Sequence, residues 1–134
     1  MGQVIETCVW IDHLRKGTPE ATRQMADAAI NDADALLCEP VRFELLNGAS
    51  RKERPLLLRR LETMPLLHTP PALWAEASKL AAAACDAGVR VPSLDLLLAA
   101  LCIHHDVALT TFDAHFGDLG KLSKLRVNLL IRAA

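Results

Sequence analysis

The sequence predicts an α/β fold, a sandwich of helices around a mainly parallel sheet of four to five strands. Three observations carry this reading. Apolar runs of strand length alternate with longer stretches of helical periodicity, the connections between them are short, and Pro, Gly and Ser/Thr stand where helices start and stop. At 134 residues, 51% hydrophobic and 23% charged, the chain has the size and composition of one globular domain, expected to span 1–134. Its apolar runs fall short of the roughly 20 residues that cross a bilayer, so no membrane role is expected. A formal charge of −1 provides no global attraction to nucleic acid, and any phosphate must be met by local charge or by metal.

Val4 and Ile5 begin a short strand that ends at Glu6, and Thr7 and Cys8 turn into a helix expected from about Val9 and Trp10. Gly17 breaks that helix. Thr18, Pro19 and Glu20 start another, with proline and an acid in its first turn, running to about Asn31. After the polar turn Asp32 to Asp34, Ala35 to Cys38 reads as a buried strand. Pro40 then opens a helix carrying Val41, Phe43, Leu45 and Leu46, with Gly48 as its stop. Glu44 stands among those apolar residues, an unusual place for a carboxylate without a partner.

The stretch Ala49 to Arg60 groups Arg51, Lys52, Arg54, Arg59 and Arg60 around Leu56 to Leu58. It reads as a solvated helical hairpin, with a basic rim for RNA phosphates or an acidic partner as the alternative. Met64 to His68 is a further short strand, and Thr69, Pro70 and Pro71 precede a helix over Ala72 to Ala87, ended by Gly88. Ser93 is expected to cap a helix buried on most of its surface, Leu94 to Ile103, with Asp95 in its first turn. Val107 to Thr111 is a buried strand followed by Asp113. An irregular or helical piece reaches Gly120, and Val127, Leu129 and Ile131 alternate as a last strand.

Ligand sites in open α/β sheets form outside the carboxyl ends of parallel strands. Glu6, Glu44, Asp95 and Asp113 are all expected at that edge. The segments that hold them, VIETCVWIDHLRKG, CEPVRFELLNG and VPSLDLLLAALCIHHDVALTTFDAHF, resemble the PIN-domain ribonucleases, and most closely the VapC toxins of toxin–antitoxin pairs. The resemblance covers nearly the whole chain. It implies a PIN-like three-layer sandwich, RNA cleavage dependent on Mg²⁺ (Mn²⁺ as substitute), a homodimer, and inhibition by a cognate VapB-like antitoxin.

Carried over by motif, the family's acid cluster falls on Glu6, Glu44, Asp95 and Asp113. Asp95 and Glu6 are expected as direct metal ligands, Glu44 and Asp113 as residues completing the site directly or through water. Thr111 would steady the Asp113 loop with its hydroxyl. Hard divalent cations favour such oxygen donors, and four clustered acids would resist ionisation without one. The family usually has Asp-Thr-Ser where this chain has Glu6, Thr7 and Cys8. Glu is one methylene longer, which would carry the carboxylate roughly an ångström or more outward, a misplacement that can cost about a hundredfold in rate. A second reading is therefore a PIN-like RNA- or protein-binding module with weakened or absent catalysis.

The remaining residues with chemical potential receive plainer assignments. Asp34 and Asp106 precede strands and read as turn residues at the opposite edge, and Asp12 as a surface or helix-partner residue. Asp118, in the loop after Asp113, is a lesser candidate to approach the site. His115 reads as a structural histidine or a phosphate contact; His104 and His105 lack a zinc-binding pattern. Arg15 and Lys16 suit the negative end of the first helix, and Trp10 and Trp74 read as core or interface aromatics. The four cysteines, Cys8, Cys38, Cys85 and Cys102, contain no CxxC pair and are expected as free thiols in a reducing cytoplasm.

Overall fold

In the computed structural model, which describes residues 1–132, five short strands pair in parallel. They are β1 (Gln3–Ile5), β2 (Ala35–Cys38), β3 (Leu66–Leu67), β4 (Ala108–Thr111) and β5 (Val127–Leu129). Their spatial order is β3-β2-β1-β4-β5. Seven helices among the described residues connect them: α1 (Thr7–Leu14), α2 (Glu20–Ile30), α3 (Glu39–Gly48), α4 (Arg54–Glu62), α5 (Leu73–Asp86), α6 (Ser93–His104) and α7 (His115–Leu122). Right-handed crossovers put α1 to α4 on one face and α5 to α7 on the other. Within the faces α1 meets α2 and α3 while α5 meets α6 and α7, and α3 also meets α6 across them.

The sheet has its order reversal at β1. The chain steps from β1 to β2 and β3 on one side, then crosses to β4 and β5 on the other, so the loops after β1 and β4 diverge and leave a crevice between them. Register fixes which residues border it: Ile5 lies opposite Thr110, and the Glu6 N–H donates to the Thr110 carbonyl at 3.0 Å. A strand buried on both faces reads as continuous apolar sequence. Val4, Ile5, Leu37 and Leu109 accordingly have at most 1% exposure. Around them pack Val9 and Trp10 from α1, Val41 from α3, Leu73 from α5, Leu98 and Leu101 from α6, and Phe116 and Leu119 from α7. In α6 the whole run Leu97 to Cys102 is buried, as its unbroken apolar sequence predicts.

Several element ends differ from expectation, each for a local reason. Pro92, not Ser93, is the N-cap of α6, and no side chain bonds to that helix's first turn. Gly48 is the last helical residue of α3 rather than its stop; Ala49 takes the extended conformation that ends it. The last strand ends at Leu129, because its partner β4 ends at Thr111, and Ile131 is 77% exposed. Gly88 does end α5 as expected, with φ +74° and a Schellman pair of bonds, Gly88 N–H to Cys85 O and Val89 N–H to Ala84 O. Asp106 ends α6 in the same way, with φ +54° and Val107 N–H bonded to Cys102 O, and its carboxylate receives Arg126 at 2.8 Å. Asp34 pairs with the N-terminus at the same sheet edge, so both are the turn residues the sequence suggested.

Leu98 is 1% exposed at the centre of the α6 interface. Leu98→Ala is expected to lower unfolding free energy by about 2–5 kcal/mol, read as a lower urea midpoint at unchanged slope.

Candidate active site

Glu6 is the first residue past β1 and also the N-cap of α1. Its backbone carbonyl accepts from Val9 N–H at 3.0 Å, and its carboxylate accepts from Cys8 N–H, satisfying a donor the first helical turn would otherwise leave unpaired. This is why α1 starts at Thr7, ahead of the Val9 start expected from apolar periodicity. The extra methylene of glutamate does not carry the carboxylate outward, contrary to expectation. The side chain folds back onto its own helix, where it is 7% exposed and receives the Thr111 hydroxyl at 3.4 Å.

The other acids arrive on separate elements. Glu44 lies in the second turn of α3 and accepts from the Thr7 hydroxyl at 2.8 Å, which ties α3 to the start of α1. Asp95 is in the first turn of α6, half-buried. Asp113 follows β4 by two residues, and its N–H donates to Thr111 Oγ1 at 2.9 Å. The Thr111 hydroxyl is fully buried and also stands 3.5 Å from Cys8 Sγ, so it links the strand-four turn to the α1 start. His115 pairs with Asp113 twice, through its backbone N–H at 2.9 Å and its ring Nδ1 at 2.8 Å.

The four carboxylates feel one another. Burial pushes the Glu6 carboxyl above its usual range, the Cys8 hydrogen bonds oppose that, and Glu44 and Asp113 raise it further. Asp95 is pushed from 3.8 to about 6, first by burial and then by Glu6, Glu44 and Asp113, with His115 opposing. Four acids on four elements thus share one electrostatic neighbourhood. Burial and Glu6 also push the neighbouring Cys8 thiol up to about 11, so it stays protonated.

Such a set of hard oxygen donors suits a divalent cation, whose charge would relieve this repulsion. Among the described residues no three His, Cys, Asp or Glu side chains stand close enough together to hold a metal ion between them. A cation at this edge would therefore rest on at most two carboxylates, with water completing its shell. Two surface cavities of about 520 and 550 Å³ lie elsewhere, one lined by Glu39, Arg42, Phe43 and Arg54, the other by Ala84, Cys85, Val91 and Leu96. Neither includes any of the four acids.

Sequence reasoning passed over Thr7, read only as a turn residue, although its place beside Glu6 was the available signal. It also left Asp12 as a surface or helix-partner residue, whereas Asp12 is 9% exposed and paired with Arg132. Asp118 lies in the first turn of α7 and forms no contact with the four acids through any hydrogen bond among the described residues. Trp10 is wholly buried and Trp74 is 62% exposed. His104 pairs with Glu76, His105 with the His68 carbonyl, and the four cysteines are free. Arg51 and Lys52 lie in a turn and Arg54, Arg59 and Arg60 on α4, so the basic stretch is the exposed helical hairpin expected.

A parallel sheet that gathers acids at the reversal of its strand order is the frame of the PIN domain, and the chain belongs to the PIN-domain family, whose pattern matches residues 4–122. Its particular relatives are VapC ribonucleases. It is 30% identical over 130 residues to ribonuclease VapC11 of Mycobacterium tuberculosis, covering 92% of this chain and 95% of that one, and a VapC ribonuclease of Mycobacterium bovis matches to the same extent. Among solved structures, VapBC2 of Rickettsia felis bound to a promoter DNA fragment superposes with a TM-score of 0.73 at 17% identity, covering 97% of this chain and 99% of that one. FitAcB of Neisseria gonorrhoeae superposes with a TM-score of 0.72 at 21% identity, covering 93% and 95%. At those identities the structural likeness is one of fold.

Because folded Asp95 holds its proton up to about pH 6 and the unfolded chain only to 3.8, its contribution to stability is full below about pH 4 and is lost as pH rises through 6. The metal-free protein is expected to show a falling thermal midpoint across that window, and Asp95→Asn to flatten the fall. Parallel curves for the two proteins would contradict the assigned shift.

Proposed function

We propose that the chain is a metal-dependent endoribonuclease toxin that hydrolyses RNA phosphodiester bonds and is held in check by a cognate VapB-like antitoxin. The observation that carries the reading is the electrostatic coupling of Glu6, Glu44, Asp95 and Asp113, delivered by β1, α3, α6 and the turn after β4. The VapC ribonuclease relatives support the reaction class, and the VapBC neighbours support the antitoxin partner.

In this reading Asp95 and Glu6 would hold Mg²⁺ or Mn²⁺ directly, with Glu44 and Asp113 completing the site directly or through water. When bound, such a cation would supply Lewis-acid chemistry at the scissile phosphate. The protein's own part is placement. Thr7 orients Glu44 with its hydroxyl, Thr111 holds the Asp113 turn, and His115 fixes the Asp113 carboxylate. For Glu6 to ligate, its carboxylate must keep an oxygen free while capping α1; a carboxylate has lone pairs for both. On the family likeness alone we further assign the working form as a cytoplasmic homodimer. No helix among the described residues is long and apolar enough to cross a membrane.

A second reading has one observation in its favour. The Glu6 carboxylate is already engaged by Cys8 N–H and the Thr111 hydroxyl, which suits an RNA- or protein-binding module without turnover.

Cleavage of a mixed small-RNA pool by the purified chain in Mn²⁺ and Mg²⁺, beside Glu6→Asp and Asp95→Asn, separates the two. The enzyme reading expects turnover that falls by at least about a hundredfold in Asp95→Asn. Silence of the unaltered chain in both metals, with cleavage by Glu6→Asp, selects the binding module and identifies Glu6 as what disables it.

A further inference from the structure

Past β5 the chain does not leave the molecule. Leu130 N–H donates to the Thr111 carbonyl at 2.7 Å, continuing the ladder beyond the last strand pair, and two residues later Arg132 reaches back to α1. Its Nε and Nη2 both donate to Asp12 Oδ2, at 3.1 and 2.9 Å. Its guanidinium lies 4.5 Å from the centroid of the Phe112 ring. Asp12 is 9% exposed, and a carboxylate that deep persists only with a charged, hydrogen-bonded partner. Arg132 is that partner. Guanidinium suits both jobs, since its planar fork serves the carboxylate while its face stacks on the ring.

Both ends of this contact belong to elements that carry acids. Asp12 lies six residues, roughly 9 Å at about 1.5 Å per residue, along the helix that Glu6 caps. Phe112 immediately precedes Asp113. The Phe112 N–H also donates to Cys8 Sγ at 3.4 Å. The turn that bears Asp113 is therefore fastened to α1 at two levels, at Cys8 through backbone and at Asp12 through Arg132.

We infer that Arg132, clamped between Asp12 and Phe112, is a positioning residue that sets the Asp113 turn against the Glu6-capped helix and so tunes the cation affinity of the acid cluster. This rests on the metal-nuclease reading. Groups that orient ligands from behind typically change metal affinity by about 10- to 100-fold when altered. A purely structural clamp would change stability alone.

The test is Mn²⁺ binding by calorimetry to the full chain, at a temperature where circular dichroism finds each variant folded. Two variants are used. Asp12→Leu with Arg132→Met removes the buried charge together with its partner, and Arg132→Lys keeps a charge for Asp12 but loses the fork and the stack. Both are expected to bind Mn²⁺ about 10-fold or more weakly than the unaltered chain. Parental affinity in the double variant overturns the proposal and leaves the nuclease reading standing. If the double variant does not fold, parental affinity in Arg132→Lys overturns it equally. An unaltered chain that binds no Mn²⁺ removes the nuclease reading and this inference together.

Discussion

The parallel pairing of β1 with β4, carried one residue past the strand by the Glu6 N–H to Thr110 carbonyl bond, is the constraint on which the acidic edge depends. It puts the end of the first strand beside the end of the fourth, although more than a hundred residues separate them. Because the strand order reverses at β1, the helices leaving these two strands lie on opposite faces, and nothing in the sheet fills the space between their starts. Helices α3 and α6 then border that space with an acid each. An antiparallel or differently ordered sheet built from the same elements would scatter the four carboxylates.

Gathering like charges costs stability, and the structure offsets that cost with local hydrogen bonds. Glu6 gains an amide from the helix it caps, Glu44 a hydroxyl from Thr7, and Asp113 the ring of His115. Asp95 has no such donor among the described contacts, and it is the acid pushed up to about 6. The acids therefore differ in role by environment more than by residue type. One is folded inward and capping, two are hydrogen-bonded from the side, and one lacks a side-chain donor and ionises only around pH 6.

Glu6, at the position where the resemblance led to an aspartate being expected, shows how a longer side chain is accommodated. Its additional methylene is absorbed by folding the carboxylate back to the first turn of α1, where amide N–H groups are available and the helix dipole favours negative charge. Cys8 fits the same economy. Its sulfur accepts from Phe112 N–H and lies beside Thr111, so it joins α1 to the β4 turn where a smaller oxygen would sit farther from both.

By itself, the sequence determined the order and kind of the elements, because periodicity, proline and glycine act locally: the Schellman end at Gly88 and the unbroken burial of Leu97 to Cys102 follow from residues within one helix. It also marked the four acids, three by their position after a strand or at a helix start, and Glu44 by its apolar neighbours. What only the tertiary structure decided was which groups meet across long separations. Thr7 reaches Glu44 across 37 residues and Arg132 reaches Asp12 across 120, and no local pattern encodes either contact. Side-chain direction was equally hidden. Whether Glu6 reaches outward or caps its own helix depends on burial and on donors such as Thr111, which are assembled only when the sheet closes around β1.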